Sequence, residues 1–100
     1  MRIDVRDRHG CDDQTRAYAE YRVFSTLRHF ADVVRHGVVT LAPGDPDAGD
    51  GGGLVCRVRI TMTNGRHVEA TARARHAYAA IDRVAARIQV LMERQLSAVT

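Results

Sequence analysis

The sequence predicts an α+β domain with the element order β-α-β-β-β-α, in which two helices pack on one face of a four-stranded antiparallel sheet. Three observations indicate this fold. Residues 54–63 and 67–75 alternate apolar and polar side chains, as half-buried strands do. Asn64-Gly65 lies between them and is typical of a hairpin turn. Residues 12–32 and 77–96 carry apolar side chains at helical spacing.

The first strand, residues 2–6, places Ile3 and Val5 on one face and charged side chains on the other. Asp12 or Asp13 then offers a carboxylate to cap the first helix, which is expected to run to about Asp32. The predicted buried side of this helix, centred on Leu27, contains Val23, Phe24, Phe30 and Ala31. Its predicted outward row consists of Tyr18, Arg22, Ser25 and His29.

Residues 34–42 are predicted to form the second strand, with Val39 and Leu41 directed inward. The following segment, residues 43–53, is rich in proline, aspartate and glycine, which predicts a flexible loop. It does not match a calcium-binding EF-hand loop, because position five from Asp45 is Gly49 and position twelve is Cys56. A phosphate-binding glycine loop is also excluded, because the segment leads into a strand and not a helix.

The hairpin strands predict an outward sheet face rich in arginine. The third strand directs Arg57 and Arg59 outward, and the fourth does the same with Arg73 and Arg75. A two-residue turn would mix the two faces, so parity predicts a three-residue loop or a bulge, with Ile60 opposite Ala70.

The last helix has one apolar stripe and two charged flanks. The stripe, centred on Ile88, contains Ala77, Ile81, Val84, Ala85, Leu91, Met92 and Gln95. One flank holds His76, Arg83, Arg87 and Arg94, and the opposite flank holds Asp82 and Glu93. The stripe predicts a packing surface. The charged flanks fit either a solvated face or a binding surface.

Composition bounds the function. The 100 residues fit one domain, and all 15 basic residues are arginine, with a net charge of +3. Arginine holds phosphate with two bonds, which suits nucleic acid, although a GC-rich genome would also favour arginine codons. The apolar runs are too short to cross a membrane, and the charged amino terminus does not resemble a signal peptide. We therefore expect a cytoplasmic protein.

The two cysteines do not form a metal or disulfide pattern. Cys56 is in register with inward residues and is predicted to be buried. Cys11 lies near His9, Asp12 and Asp13, where a hydrolase or metal enzyme would have its site. The aspartates would raise the thiol pKa, which disfavours a nucleophile. No catalytic residue, metal site, cofactor or small-molecule substrate is predicted.

Several segments together resemble the ribosome hibernation promoting factor family, also called ribosomal subunit interface or sigma modulation proteins. They are RAYAEYRVFSTLRHFAD in the first helix, AYAAID opening the last helix, the NG hairpin before VEA, and RH after the first strand. The resemblance runs from Met1 to about Leu96. It implies a fold similar to double-stranded-RNA-binding domains. It also implies binding to the small ribosomal subunit in bacterial stationary phase, where the protein blocks messenger and transfer RNA and preserves idle ribosomes under stress.

The resemblance also implies site residues, because family members carry basic helix residues at positions resembling Arg22, Arg28 and Arg87. Many relatives have acidic residues just before the YAAID segment. This sequence departs from them, because it has Arg73, Arg75 and His76 at those positions. We therefore expect a shifted contact surface. The chain ends at Thr100, so the short form, without a carboxy-terminal dimerisation domain, is expected.

The leading hypothesis is a non-enzymatic translation inhibitor that binds ribosomal RNA. Its predicted RNA-binding residues are Arg22, Arg28, Arg73, Arg75, Arg83, Arg87 and Arg94. Tyr18 is either a base-stacking residue or ordinary amphipathic surface. The alternative is a protein-interaction module that forms oligomers through a sheet edge or charged faces without binding ribosomes.

Overall fold

The structure, a computed structural model, describes residues 1–45 and 52–99 and has the predicted element order. The strands are β1 (Arg2–Asp7), β2 (Val34–Pro43), β3 (Leu54–Met62) and β4 (His67–Ala74). The helices are α1 (Asp13–Leu27) and α2 (Ala77–Val99), and a short 3-10 helix (Arg28–Phe30) follows α1. The first α-helix therefore ends earlier than predicted, and the 3-10 turn continues it.

The sheet has the order β1-β2-β3-β4 and is mixed. The β2–β3 and β3–β4 pairs are antiparallel, but β1 pairs with β2 in parallel, with Val5 opposite Val39. The expectation of a fully antiparallel sheet was wrong at this pair. A helical crossover returns the chain to its starting end, so the strands on either side of α1 run in the same direction.

The β3–β4 hairpin has the predicted three-residue loop, with Gly65 at a φ of 88°. The amide of Met62 donates to the carbonyl of Arg66 at 2.8 Å, and the amide of Gly65 donates to the carbonyl of Met62 at 2.9 Å. Counting inward from this closing pair places Ile60 opposite Val68. The predicted pairing of Ile60 with Ala70 was wrong by two residues. Because side chains alternate with a period of two, a shift of two residues leaves every side chain on its predicted face.

The segment predicted as a loop begins later than expected. Pro43 pairs with Leu54 at the end of the β2–β3 ladder, and the amide of Gly44 donates to the carbonyl of Gly53 at 3.1 Å. Residues 46–51 of the predicted loop lie outside the described residues.

Both helices pack on one face of the sheet. α1 covers β1 and β2, α2 covers β3 and β4, and the helices contact each other. The predicted stripe of α2 is confirmed at its centre, where Ile81, Ile88 and Met92 are fully buried. Within the described residues no helix is long and apolar enough to traverse a bilayer.

The buried side of α1 is rotated from the predicted one. Val23, Leu27 and Phe30 are buried as predicted, but Phe24 is 46% exposed. Thr26 is buried instead, and its hydroxyl donates to the carbonyl of Arg22 at 3.1 Å. Because that bond satisfies the hydroxyl, a polar residue can lie on the buried side of α1.

The connection between β1 and α1 is organised by Asp7, whose side chain is 8% exposed. One carboxylate oxygen accepts the amides of His9 and Gly10 at 2.9 and 3.0 Å, and the other accepts Arg16 Nη1 at 3.1 Å. Burial acts to raise the pKa of Asp7, but the His9 amide and the Arg16 guanidinium outweigh it, so the pKa is lowered. Asp12 then caps α1 as predicted by accepting the amide of Thr15 at 2.8 Å.

Asp7→Ala is expected to lower the free energy of unfolding by about 1–3 kcal/mol at neutral pH, because the amides of His9 and Gly10 and the Arg16 guanidinium lose their charged acceptor. A folded-state pKa below the unfolded value, about 3.9, means that the contribution is complete above that value and is lost as pH falls through the folded pKa. Urea unfolding at pH 7 and pH 3 measures the difference. The exposed control Asp32→Ala should change stability by less than about 0.5 kcal/mol. An equal loss at both pH values would contradict the assignment.

Candidate nucleic-acid interface

Two predicted arginines of α2 lie against the edge strand of the sheet. Arg83 Nη1 donates to the carbonyl of Arg73 at 2.9 Å, and the Arg87 guanidinium donates to the carbonyl of Thr71. Because β4 is an edge strand, its outer carbonyls would otherwise lack a partner within the sheet. Each guanidinium has five donors, so the remaining donors of these exposed side chains are available to an anion.

Further predicted arginines lie on or beside the same edge. Arg94 is exposed and continues the basic flank of α2, while Arg73 is exposed on β4 and Arg75 follows that strand. We call Arg73, Arg75, Arg83, Arg87 and Arg94 the edge arginines. The structure thus brings five of the seven predicted residues to one side of the molecule, along β4 and the facing flank of α2.

Arg22 lies between the two helices. Its Nη1 donates to Thr26 Oγ1 at 2.7 Å, and its Nε is 3.4 Å from Asp82 Oδ1. Its side chain is 33% exposed, so the predicted outward orientation holds only in part. Asp82, on the acidic flank of α2, contacts α1, whereas Arg83 and Arg87, on the basic flank, contact β4. Charges around α2 are therefore sorted by what each flank contacts.

Tyr18 also points toward α2 and not outward. Its hydroxyl donates to Asp82 Oδ1 at 2.5 Å, and its ring lies 4.6 Å from that of Tyr78, at 50°. The hydrogen bond to Asp82, followed by burial, raises the pKa of Tyr18. The prediction of an outward tyrosine was wrong, because α2 packs against that side of α1. Arg28, on the 3-10 helix, is exposed and forms no side-chain bond within residues 1–45 and 52–99.

Asp82→Asn is expected to lower the pKa of Tyr18 toward its ordinary value of about 10, because the negative acceptor becomes neutral. Nuclear magnetic resonance titration of tyrosine labelled at Cζ measures this pKa. Glu93→Gln removes another carboxylate of the same helix and should leave the Tyr18 pKa unchanged. An unchanged pKa in Asp82→Asn would show that the bond between Tyr18 and Asp82 is absent in solution.

The sheet face away from the helices carries a second group of arginines. As predicted, Arg57 and Arg59 lie on this face. Arg6 and Arg8 join them because β1 pairs with β2, which places Arg6 opposite Thr40 and Thr40 opposite Arg57. Sequence reasoning missed Arg6 and Arg8 as site residues. The alternation of side chains along the first strand predicted that Arg6 points outward. Only the strand order showed that Thr40 and Arg57 lie beside it.

The sequence matches the family model for "Sigma 54 modulation protein / S30EA ribosomal protein" over residues 3–99. The chain belongs to this family. The family resemblance predicted from the sequence is thereby confirmed, and the chain is a protein of the ribosomal subunit interface and hibernation type.

Solved structures share the fold of this family member. The Protein Y N-terminal domain from Thermus thermophilus aligns with a TM-score of 0.73 and 24% identity, covering 94% of this chain and 98% of that one. A ribosomal subunit interface protein from Coxiella burnetii aligns with a TM-score of 0.78 and 11% identity, covering 97% and 99%. A search of curated proteins gave no match. At these identities the likeness establishes the fold.

The cysteines of this family member are placed for packing. Cys56 is fully buried as predicted, and burial raises the pKa of its thiol to about 12. Burial and the nearby Asp7 also raise the pKa of Cys11. A thiol with a raised pKa is a poor nucleophile. Among the described residues no three His, Cys, Asp or Glu side chains are grouped to hold a metal ion.

Proposed function

We propose that the chain binds the small ribosomal subunit in the cytoplasm and blocks its messenger and transfer RNA sites in stationary phase. The observation that carries this proposal is the row of edge arginines in a member of a ribosome-associated family. The proposed RNA-binding residues are Arg22, Arg28, Arg73, Arg75, Arg83, Arg87 and Arg94. We further propose that residues 1–100 act as a single domain.

The geometry suits contact with RNA phosphates. Bonds to the β4 carbonyls hold Arg83 and Arg87 in defined positions, so less side-chain entropy is lost when they bind a phosphate. Folded RNA is recognised mainly through its shape and backbone, so no base-reading motif is required. Occupying a site inhibits translation without any bond being made or broken. Arg22 contributes less than the edge arginines, because Asp82 already neutralises part of its charge.

Co-sedimentation with purified small subunits at low and high salt tests the proposal. The protein should travel with the subunits at low salt and be released as salt rises, because the contacts replace counterions on the phosphates. Protein that stays at the top of the gradient under both conditions would overturn the proposed function.

A second candidate function is oligomerisation through the β4 edge. Beside that edge lies an apolar groove of about 460 Å³, which the exposed Val90 and the partly buried Leu91 help to line. Its lining residues are Ala70, Thr71, Ala86, Arg87, Val90, Leu91 and Arg94. However, Arg83 and Arg87 occupy carbonyls that an added strand would need, and charged side chains at an edge oppose strand pairing. Light scattering that shows a tight homo-oligomer without RNA affinity would favour this alternative.

A further inference from the structure

The open face of the sheet forms a regular grid of side chains. One row across the four strands consists of Arg6, Thr40, Arg57 and Thr71. The neighbouring row consists of Asp4, Val38, Arg59 and Glu69. Adjacent strands lie about 4.8 Å apart, so Arg6 and Arg57 begin about 9.6 Å from each other on either side of Thr40. Their long side chains can converge above its hydroxyl.

A groove of about 390 Å³ lies over these rows, and we call it the sheet-face groove. Its lining residues are Arg6, Arg8, Val38, Thr40, Arg57, Arg59, Thr61 and Glu69. Four guanidinium groups therefore face one carboxylate. That carboxylate is only loosely engaged, since Glu69 Oε1 is 3.5 Å from Arg57 Nε.

The other three arginines of the sheet-face groove are not bound to the chain's own acids. The side chains of Arg6, Arg8 and Arg59 form no hydrogen bond or ion pair within the part of the chain that the structure describes. Asp4 stands at the rim of the groove, but its oxygens already contact His36 Nε2 at 2.8 Å and Arg2 Nε at 3.3 Å. The groove thus holds an uncompensated positive charge on a rigid sheet.

We propose that the sheet-face groove is a second RNA-contacting surface, in which Arg6, Arg57 and Arg59 bind backbone phosphates around the hydroxyl of Thr40. Arginine forks bind phosphate oxygens with paired bonds, and the threonine hydroxyl supplies a further donor between them. This inference rests on the proposed function, because it takes ribosomal RNA as the partner. None of the seven arginines proposed above lines the sheet-face groove. Of these seven, only Arg73 lies on the same face of the sheet.

The shape of the groove favours a polymer over a small phosphorylated ligand. Small-molecule sites are concave, mostly apolar and bury most of the ligand. The sheet-face groove is only half enclosed, and Val38 is the single apolar side chain lining it. Cations that extend from β1, across β2, to β3 suit successive phosphates of a nucleic acid strand.

The test compares two double variants that each remove two positive charges. Arg6→Gln with Arg59→Gln should weaken binding to purified small subunits more than tenfold at about 0.1 M salt. It should also reduce the slope of log affinity against log salt by about 1.4–1.8, since each phosphate contact contributes about 0.7–0.9. Arg35→Gln with Arg66→Gln, near the hairpin end of the sheet, is the control and should leave the slope unchanged. Neither pair lies in the core, so thermal unfolding should be unaltered.

The outcomes separate this inference from the proposed function. If the unmodified chain binds subunits and Arg6→Gln with Arg59→Gln keeps the same slope, the sheet-face groove is not a contact surface and the proposed function stands. If both double variants lose affinity equally, net charge explains the effect and the inference is likewise overturned. If the unmodified chain does not bind subunits at all, the proposed function fails and this inference fails with it.

Discussion

Replacing Arg83 and Arg87 together by glutamate is expected to weaken binding to the small ribosomal subunit more than tenfold at about 0.1 M salt. Two contacts account for about 1.4–1.8 decades of affinity under these conditions, and the reversed charges add repulsion from the phosphates. The new carboxylates would also face the β4 carbonyls that the guanidinium groups now contact. Filter binding over about 50–200 mM salt measures both the affinity and its salt dependence.

The same variant should stay folded, because Arg83 and Arg87 are exposed and lie off the buried stripe of α2. Circular dichroism and thermal unfolding check this. Arg35→Glu with Arg66→Glu reverses the same number of charges at the other end of the hairpin strands and should cost much less affinity. Unchanged affinity in the Arg83 and Arg87 variant would move the main contact from the edge arginines to the sheet face.

Leu27→Ala is expected to lower the free energy of unfolding by about 2–5 kcal/mol, the range for removing a large buried aliphatic side chain. Leu27 is fully buried near Gly37 of β2. A Cβ added at Gly37 would stand 3.5 Å from Leu27 Cδ1 and 3.0 Å from Ile3 Cδ1, so α1 approaches the sheet where β2 has no side chain. Urea unfolding followed by circular dichroism gives the measured loss.

Phe24→Ala is the matched control, because Phe24 was predicted to be buried beside Leu27 but is 46% exposed. It should cost less than about 1 kcal/mol. Equal losses from Leu27→Ala and Phe24→Ala would contradict the observed rotation of α1.

Much of the fold follows from local patterns. The strands β3 and β4 and the stripe around Ile88 were predicted because side chains on a strand or helix repeat with a fixed period. The Asp12 cap and the loop at Gly65 were predicted because these backbone conformations favour particular residues. The rotation of α1 was missed because apolar spacing treats Phe24 and Val23 alike. Which of them is buried depends on where β2 and α2 lie.

The candidate site was predictable only in part. The edge arginines were identified from the flank of α2 and from the β4 segment, because both follow from periodicity within a single element. Their bonds to the carbonyls of Thr71 and Arg73 were not, since they join α2 to an edge whose position depends on strand order. The same holds for Tyr18 and Arg22. Helical spacing predicted that both point outward, but both contact Asp82 of α2.

By itself the sequence determined the element order, the inward face of each strand, the family and the abundance of arginine. Each of these properties depends on residues close together in the chain or on the composition of the whole sequence. Only the tertiary structure decided that β1 runs parallel to β2, which brings Arg6 beside Thr40 and Arg57. Contacts between segments distant in the chain depend on how the helices and strands share one core, and local periodicity does not specify that arrangement.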